Sequence, residues 1–289
     1  MEQPYVDVAG LRIGNEYPVR IMGVINLSPE SFYKGTVAAK EEDMRRIIAR
    51  FEREGADIID IGGASTAPRE IYHTREITAH DELKRVTNAI DIITSMTKLP
   101  LSIDTMSSKV AEKALDMGVT VINDVSGLKA DSEMAGLASD RNAPVILMAN
   151  CRPYCDSIQS SLESLRESLS LARDAGIDTG MILVDPGIGF GKPSNVDYEI
   201  LHNLGAFAVL GQPILVGVSR KAFIGSLLDQ SDPADRLTGS IAATSVAVYN
   251  GANIIRTHDV KESRIAVRVG EAIRKSMQTD HGIQSGDLG

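Results

Sequence analysis

Gly-Ala-Asp-Ile-Ile-Asp (55–60), Gly-Val-Thr-Val-Ile-Asn (118–123) and Gly-Ala-Asn-Ile-Ile-Arg (251–256) echo one another along the chain. Each is a glycine placed to end a helix, followed by a short apolar strand that delivers a polar residue. Around them the same unit recurs. Val19–Ile25 is a strand ending at Asn26, and 41–54 a helix with Met44, Ile47, Ile48 and Phe51 on one face. A strand over 56–61 is followed by a helix over 79–96. Strands over 99–103, 119–122, 144–148, 181–184, 213–218 and 253–255 follow. Helices over 107–117, 131–140, 157–175, 196–204, 234–250 and 261–276 alternate with them. About eight strand–loop–helix units with buried-type strands imply a parallel α/β architecture closed as a (β/α)8 TIM barrel. A doubly wound open sheet would carry Gly-x-Gly-x-x-Gly after its first strand, and 26–35 lacks it. Alternation over 4–19 reads as an N-terminal hairpin that covers the barrel bottom. The whole of 1–289 reads as one barrel domain, with a frayed polar tail over 278–289.

Composition narrows the function. Thirty Lys and Arg against 39 Asp and Glu give a formal charge of −9, which argues against a nucleic-acid surface but leaves room for a local anion pocket. The N-terminus has no basic and apolar leader pattern, and no apolar run approaches the ~18 residues of a spanning helix. A cytoplasmic protein without membrane partners is expected. Cys151 and Cys155 are too few for a disulfide framework or a four-thiolate metal site, so reduced thiols are expected.

Barrel active sites lie where strands give way to loops. Those positions hold Asn26, Gly62-Gly63, Asp104, Asn123, Met148, Asp185, Lys221, Arg256 and His258. At 185–192, Asp-Pro-Gly-Ile-Gly-Phe-Gly-Lys puts a carboxylate at a strand mouth, then a loop whose glycines permit close approach of a ligand. Asp104, Asn123 and Asp185 can face a flat heterocycle rich in N–H groups. Arg256 and His258, beside the amide of Asn26, suit phosphate or pyrophosphate. The expected ligand is therefore a hydrogen-bonding ring with an anionic tail. A barrel-end salt-bridge network is the plainer alternative.

The motifs then carry a resemblance. Ile-Met-Gly-Val-Ile-Asn-Leu-Ser-Pro-Glu-Ser-Phe (21–32), Asp-Ile-Ile-Asp-Ile-Gly-Gly-Ala-Ser-Thr-Ala-Pro (57–68), Leu-Ser-Ile-Asp-Thr (101–105) and Val-Ile-Asn-Asp-Val-Ser-Gly (121–127) are four of seven matching stretches. The others are Val-Asp-Pro-Gly-Ile-Gly-Phe-Gly-Lys (184–192), Val-Gly-Val-Ser-Arg-Lys-Ala-Phe-Ile-Gly (216–225) and Ile-Ile-Arg-Thr-His-Asp-Val (254–260). In order and over nearly the whole chain, they resemble the dihydropteroate synthase family of pterin-binding TIM barrels. The resemblance implies a transferase of folate-type biosynthesis. It would condense 6-hydroxymethyl-7,8-dihydropterin pyrophosphate with an arylamine, normally 4-aminobenzoate, and release pyrophosphate with Mg2+ present.

It further implies Asp104, Asp185 and Lys221 as catalytic residues. Asn123, Met148, Phe190 and Gly217 would complete the pterin site. Asn26, Thr66, Arg256 and His258 would hold the pyrophosphate, Asn26 would also hold the metal, and the assembly would be a homodimer.

The departures cluster. Ala64 and Ala67 replace the Glu and Arg of the family's second loop, and Ala222 replaces the hydroxyl residue after Lys221. Glu30, Tyr33 and Lys34 alter the first loop, and the fifth strand runs on as Met148-Ala149-Asn150-Cys151-Arg152. Those positions line the family's arylamine side. The acceptor is therefore expected to differ from 4-aminobenzoate and to be larger and anionic, such as the ribofuranosylaminobenzene phosphate of methanopterin-type pathways. A methyl-transferring or non-catalytic pterin-binding barrel is the alternative class. It needs neither Lys221 in Ser-Arg-Lys nor the Arg256 and His258 pair.

Overall fold

A computed structural model describes residues 5–28, 33–38, 40–64 and 77–280. The expected pyrophosphate residue Thr66, the altered Ala67, Glu30 in the first loop and the end of the tail lie outside the described residues.

A two-stranded hairpin opens the chain, β1 (Tyr5–Val8) antiparallel to β2 (Leu11–Gly14). Its two-residue turn places both Ala9 (φ 51°) and Gly10 (φ 87°) in the left-handed region, as a primed hairpin turn requires. Eight parallel strands then build the barrel: β3 (Arg20–Asn26), β4 (Ile58–Gly62), β5 (Leu101–Asp104), β6 (Val121–Asp124), β7 (Val145–Met148), β8 (Ile182–Asp185), β9 (Leu215–Val216) and β10 (Ile254–Thr257). The order β8-β7-β6-β5-β4-β3-β10-β9 follows the chain except where β10 returns beside β3. A parallel bridge from Val184 to Ile214 joins the two outer strands and closes the ring. The strands alternate with α1 (Glu41–Glu54), α2 (Ala79–Met96), α3 (Ser108–Asp116), α4 (Met134–Asp140), α5 (Ile158–Asp174), α6 (Ser194–His202), α7 (Ala222–Leu228), α8 (Leu237–Tyr249) and α9 (Val260–Asp280).

Period-two alternation sorts every strand into two faces. Ile21, Ile25, Ile59, Ile61, Leu101, Ile103, Val184, Val216 and Ile255 point outward and join the helix faces in one large cluster with Ile48, Phe51, Val86, Ile90 and Ile93. Met22, Ile58, Val121, Ile146, Leu183, Leu215 and Ile254 point inward at the start of their strands. There they pack with Val6, Val8 and Ile13 of the hairpin. The barrel bottom is therefore an apolar layer sealed by the hairpin, as the alternation over 4–19 predicts. Two residues further along six of these strands the inward positions become Asp60, Asn123, Met148, Asp185, Gly217 and Arg256, while β3 carries Val24 there and reaches its polar residue, Asn26, two positions later.

Two expectations need correction. The cysteines are not separate thiols: the loop after β7 turns back so that Cys151 and Cys155 lie 4.9 Å apart at Cα and form a disulfide. The count of two excludes a framework but says nothing against a bridge within one tight loop. The stretch after Lys221 also holds a helix of its own, α7, ahead of α8.

Candidate active site

Register sets the band of polar residues at the mouth. Asn26 pairs with Gly62, Gly62 with Asp104 and Asp104 with Asn123, so four neighbouring strands end level with one another. On the next pair Met148 stands beside Asp185. These strands run through the polar residue rather than stopping before it, so the functional side chains sit on ordered ladder positions.

At the centre lies Arg256. Its Nε donates to Asp60 Oδ2 (2.7 Å), and its Nη2 reaches both Asp60 Oδ2 (2.6 Å) and Asp104 Oδ2 (2.7 Å). Asn123 Nδ2 adds a weaker donation to Asp60 at 3.3 Å. Asp60 is completely buried, and its Oδ1 has no hydrogen-bond partner. One guanidinium between two buried carboxylates is the compensation such charges require, and the carboxylates hold the Arg256 pKa above its ordinary value against the effect of burial. Arg256 is thus not an open anion fork. Two of its three nitrogens are committed to Asp60 and Asp104, which leaves Nη1 for a ligand.

The loop after β8 forms the second wall. Gly187, Gly189 and Gly191 all have positive φ (70°, 73° and 75°). Asp185 Oδ1 accepts from the Gly187 N–H at 2.7 Å. Burial pushes the Asp185 carboxyl up, opposed by Lys221 and by that N–H. Lys221 donates through Nζ to the Ile188 carbonyl, and its ammonium stands 4.4 Å from the centre of the Phe190 ring. A Cβ on Gly189 would come 2.5 Å from Lys221 Cδ, so the side chain passes where only glycine leaves room. Burial lowers the Lys221 pKa to about 8, with Asp185 and Asp197 working against it. Gly217 lies between the two walls: a Cβ there would meet Arg256 Cβ at 3.7 Å and Lys221 Nζ at 3.9 Å.

The third part is the corner where β3, β9 and β10 end. His258 Nδ1 and Ser219 Oγ are 2.9 Å apart. Burial, then Arg256, Arg220 and Lys221, drive the imidazole down to about 3, so in the ligand-free site it is neutral and offers a hydrogen bond rather than a charge. Arg256 is therefore the charged member of the Arg256 and His258 pair in the ligand-free corner. Tyr33 meets His258 edge-on at 5.1 Å and lies under the Arg220 guanidinium at 4.1 Å. Arg220 itself is a latch: Nε and Nη2 each donate to Asp259 at 2.8 Å, and Nη1 to the Pro233 and Ala234 carbonyls. Asn26 Nδ2 donates to Thr36 Oγ1 at 3.3 Å, which turns the amide oxygen toward Gly62.

That oxygen tests the fit of a metal. Among the described residues no three His, Cys, Asp or Glu side chains are grouped to hold an ion. A single neutral oxygen fits a Mg2+ that keeps waters and takes its remaining ligands from phosphate, the usual habit of that ion.

The strand-end positions Asn26, Asp104, Asn123, Met148, Asp185, Gly217, Lys221, Arg256 and His258 thus come to one mouth. Asp60, Ser219, Lys192 and Asp197 were missed. Asp60 sits two residues before the strand end, yet a carboxylate inside an otherwise apolar buried strand, in phase with Gly62, is a readable signal.

Residues 22–258 match the family described as pterin binding enzymes. The chain is 35% identical over 267 residues to the dihydropteroate synthase of Bacillus subtilis, an alignment that covers 91% of each. Among solved structures, a dihydropteroate synthase from Coxiella burnetii in complex with pteroic acid superposes with a TM-score of 0.85 at 34% identity, covering 94% of this chain and 99% of that one. The Xanthomonas albilineans dihydropteroate synthase with 4-aminobenzoic acid gives 0.84 at 35% identity, covering 94% and 99%. With the barrel, the ordered motifs and identity over nearly the full length in agreement, this chain belongs to the dihydropteroate synthases, transferases of the pterin binding enzyme family.

Proposed function

We propose that the chain joins 6-hydroxymethyl-7,8-dihydropterin pyrophosphate to 4-aminobenzoate. The observation that carries this reading is the pairing of carboxylates and cations in one mouth. Asp60, Asp104 and Asp185, with the Asn123 amide, offer acceptors to a ring carrying several N–H groups. Lys221, held on the Ile188 carbonyl and over the Phe190 ring, stands with Asp185 on the pterin side, and Arg256 Nη1, which is not used on Asp60 or Asp104, is available to the anionic tail. Met148 and Phe190 supply apolar surface for a flat ring. In the reaction the arylamine nitrogen forms a bond to the pterin methylene carbon. The carbon–oxygen bond breaks, pyrophosphate departs with the electron pair, and the amine proton passes to solvent. Positive charge builds at the carbon attached to the electron-rich ring, and fixed carboxylates stabilise it without reorganising. Arg256 Nη1, the neutral His258 and Asn26 would receive the leaving group, with Thr66 assigned there by the motif alone. Asn26 would hold a Mg2+ ion, which would neutralise part of the departing charge.

A larger anionic arylamine is the second reading. Lys34 and Arg152 are exposed on loops at the mouth, and Ala64 and Ala222 take little space there. The test supplies the pterin pyrophosphate with either 4-aminobenzoate or ribofuranosylaminobenzene phosphate and follows pyrophosphate release. Higher kcat/KM with 4-aminobenzoate supports the first reading, the reverse supports the second, and no release with either defeats both.

A cytoplasmic homodimer completes the proposal. No helix among the described residues is long and apolar enough to cross a membrane. Ile265, Val269 and Ile273, at four-residue spacing on α9, are 57%, 49% and 49% exposed. Val246 and Tyr249 of α8 are also exposed, and an apolar stripe of this kind suits a second copy of the chain. Sedimentation at micromolar concentration should give a dimer mass that Val269→Glu reduces to that of a monomer.

A further inference from the structure

The loop after β8 is gripped by four charged side chains, of which the reaction described above uses two. Asp185 takes the Gly187 N–H and Lys221 the Ile188 carbonyl. The other two come from the loop's far end and from α6. Lys192 Nζ donates to the Gly187 carbonyl at 2.7 Å, and Asp197 Oδ1 accepts from the Gly189 N–H at 2.7 Å. Both are buried, Lys192 6% and Asp197 1% exposed. Each lysine has its own glycine: a Cβ at 187 would come 2.9 Å from Lys192 Nζ, as one at 189 would strike Lys221. Two opposite charges are thus held in the interior on backbone groups. An uncharged donor and acceptor could fill those hydrogen bonds without the cost of desolvating two ions.

We propose that Lys192 and Asp197 are positioning residues for this reaction: they fix the Gly187–Gly191 loop so that Asp185 and Lys221 face the pterin, and their opposite charges balance those two across the loop. The proposal rests on the pterin-transfer reading and deepens it. The electrostatics run the same way. Lys221 is faced by the anions Asp185 and Asp197 and by Arg256, Lys192 and the neutral His258. Asp185 is faced by Lys221, Lys192 and Arg256. Lys192 has Asp197 and Asp185 opposite it, and Asp197 has Lys221 and Lys192, with Tyr198 adjacent. Burial brings Lys192 down to about 8 and Asp197 up to about 6, so each helps keep the other charged near neutrality.

The experiment compares Lys192→Met, Lys192→Arg and Asp197→Asn with the parent chain. It measures the Kd for 6-hydroxymethylpterin by fluorescence, the rate of pyrophosphate release against pH, and thermal unfolding. Lys192→Met and Asp197→Asn should each weaken pterin binding roughly tenfold, the scale expected when a loop shift misplaces binding groups. The alkaline limb of kcat/KM should move in opposite directions. Asp197→Asn removes an anion facing Lys221 and shifts the limb to lower pH by about one unit. Lys192→Met removes a cation and shifts it upward. Lys192→Arg should keep the limb in place and restore part of the affinity. Limbs that stay fixed or move together, with Kd within about twofold of the parent, would overturn the proposal even if stability falls. Should Lys192→Met fail to fold, the near-isosteric Asp197→Asn decides. If the parent binds the pterin but releases no pyrophosphate, the functional reading falls, and the Kd pattern alone still decides the role of this pair.

Discussion

The two ends of the barrel are built from the same strands and differ in every inward residue. At the bottom, Met22, Ile58, Val121, Ile146, Leu183, Leu215 and Ile254 pack against Val6, Val8 and Ile13 of the hairpin. Two positions on, the same alternation delivers Asp60, Asn123, Asp185 and Arg256 to a charged mouth. A parallel barrel permits this because the period of two lets each strand devote one end of its inner face to stability and the other to chemistry. The bottom is held by volume and apolar contact, so volume-conserving apolar changes there should cost little. The top should be less tolerant, because Arg256, Asp60 and Asp104 are one another's partners.

The sharpest way to break that contrast is Arg256→Met. Asp60 and Asp104 would lose their shared cation while staying at 0% and 4% exposure. Leaving buried charges uncompensated costs about 3–5 kcal/mol, part of it appearing as carboxylate protonation. The Nη1 proposed to meet the leaving group goes as well. Pyrophosphate release should fall by about a thousandfold in kcat/KM, with thermal stability lowered. A loss of less than about tenfold would mean that the mouth is as forgiving as the bottom.

At the other end, Ile13→Ala removes a fully buried side chain from the hairpin seal. The expected cost is about 2–4 kcal/mol of unfolding free energy, measured by urea denaturation. At temperatures where the variant is folded, its kcat and its KM for the pterin pyrophosphate should match the parent. If the kinetic constants changed, the two ends would be coupled, and the division of labour along the strands would be lost.

The bottom was easier to read in the sequence than the top. Apolar periodicity sets helices at 41–54 and 79–96 with the bounds the structure gives, and it sets the number and order of the strands. It ends several strands one or two residues early, at 103, 122 and 184. The polar residues that stop an apolar run, Asp104, Asn123 and Asp185, are still paired in the ladder. Asp60 is not among the strand-end positions because it precedes the strand end, and the burial of Lys192 depends on the loop folding back over its side chain. The charge state of His258 is not legible in sequence, because protonation depends on burial and on Arg256 and Arg220, which the fold brings near. The Cys151–Cys155 bridge and the short helix α7 are local features that period and composition do not register.

The finest distinction between the ends is electrostatic. An apolar layer has no pH dependence, whereas the mouth holds Lys221 with a pKa brought down to about 8 by burial. In the free enzyme Lys221 carries its proton below that value and loses it above. If the ammonium holds the Ile188 carbonyl and faces the pterin site, kcat/KM should be flat below the limb. Above it, the constant should fall about tenfold per pH unit. The ordinary lysine value of 10.5 would put that limb more than two units higher, so the position of the fall reports burial of the two lysines of this loop, and a limb that persists in Lys192→Met belongs to Lys221. Unfolding free energy gives the sign check. Between about 8 and 10.5 the unfolded chain binds more protons at this position than the folded one does, so Lys221 makes stability rise with pH there. Activity that declines across a range where deprotonation of this lysine relieves a cost to the folded state cannot be ascribed to that deprotonation unfolding the barrel. A rate profile that stays flat to pH 10 would instead assign Lys221 to scaffolding and leave the carboxylates and Arg256 as the charged groups that matter at the mouth.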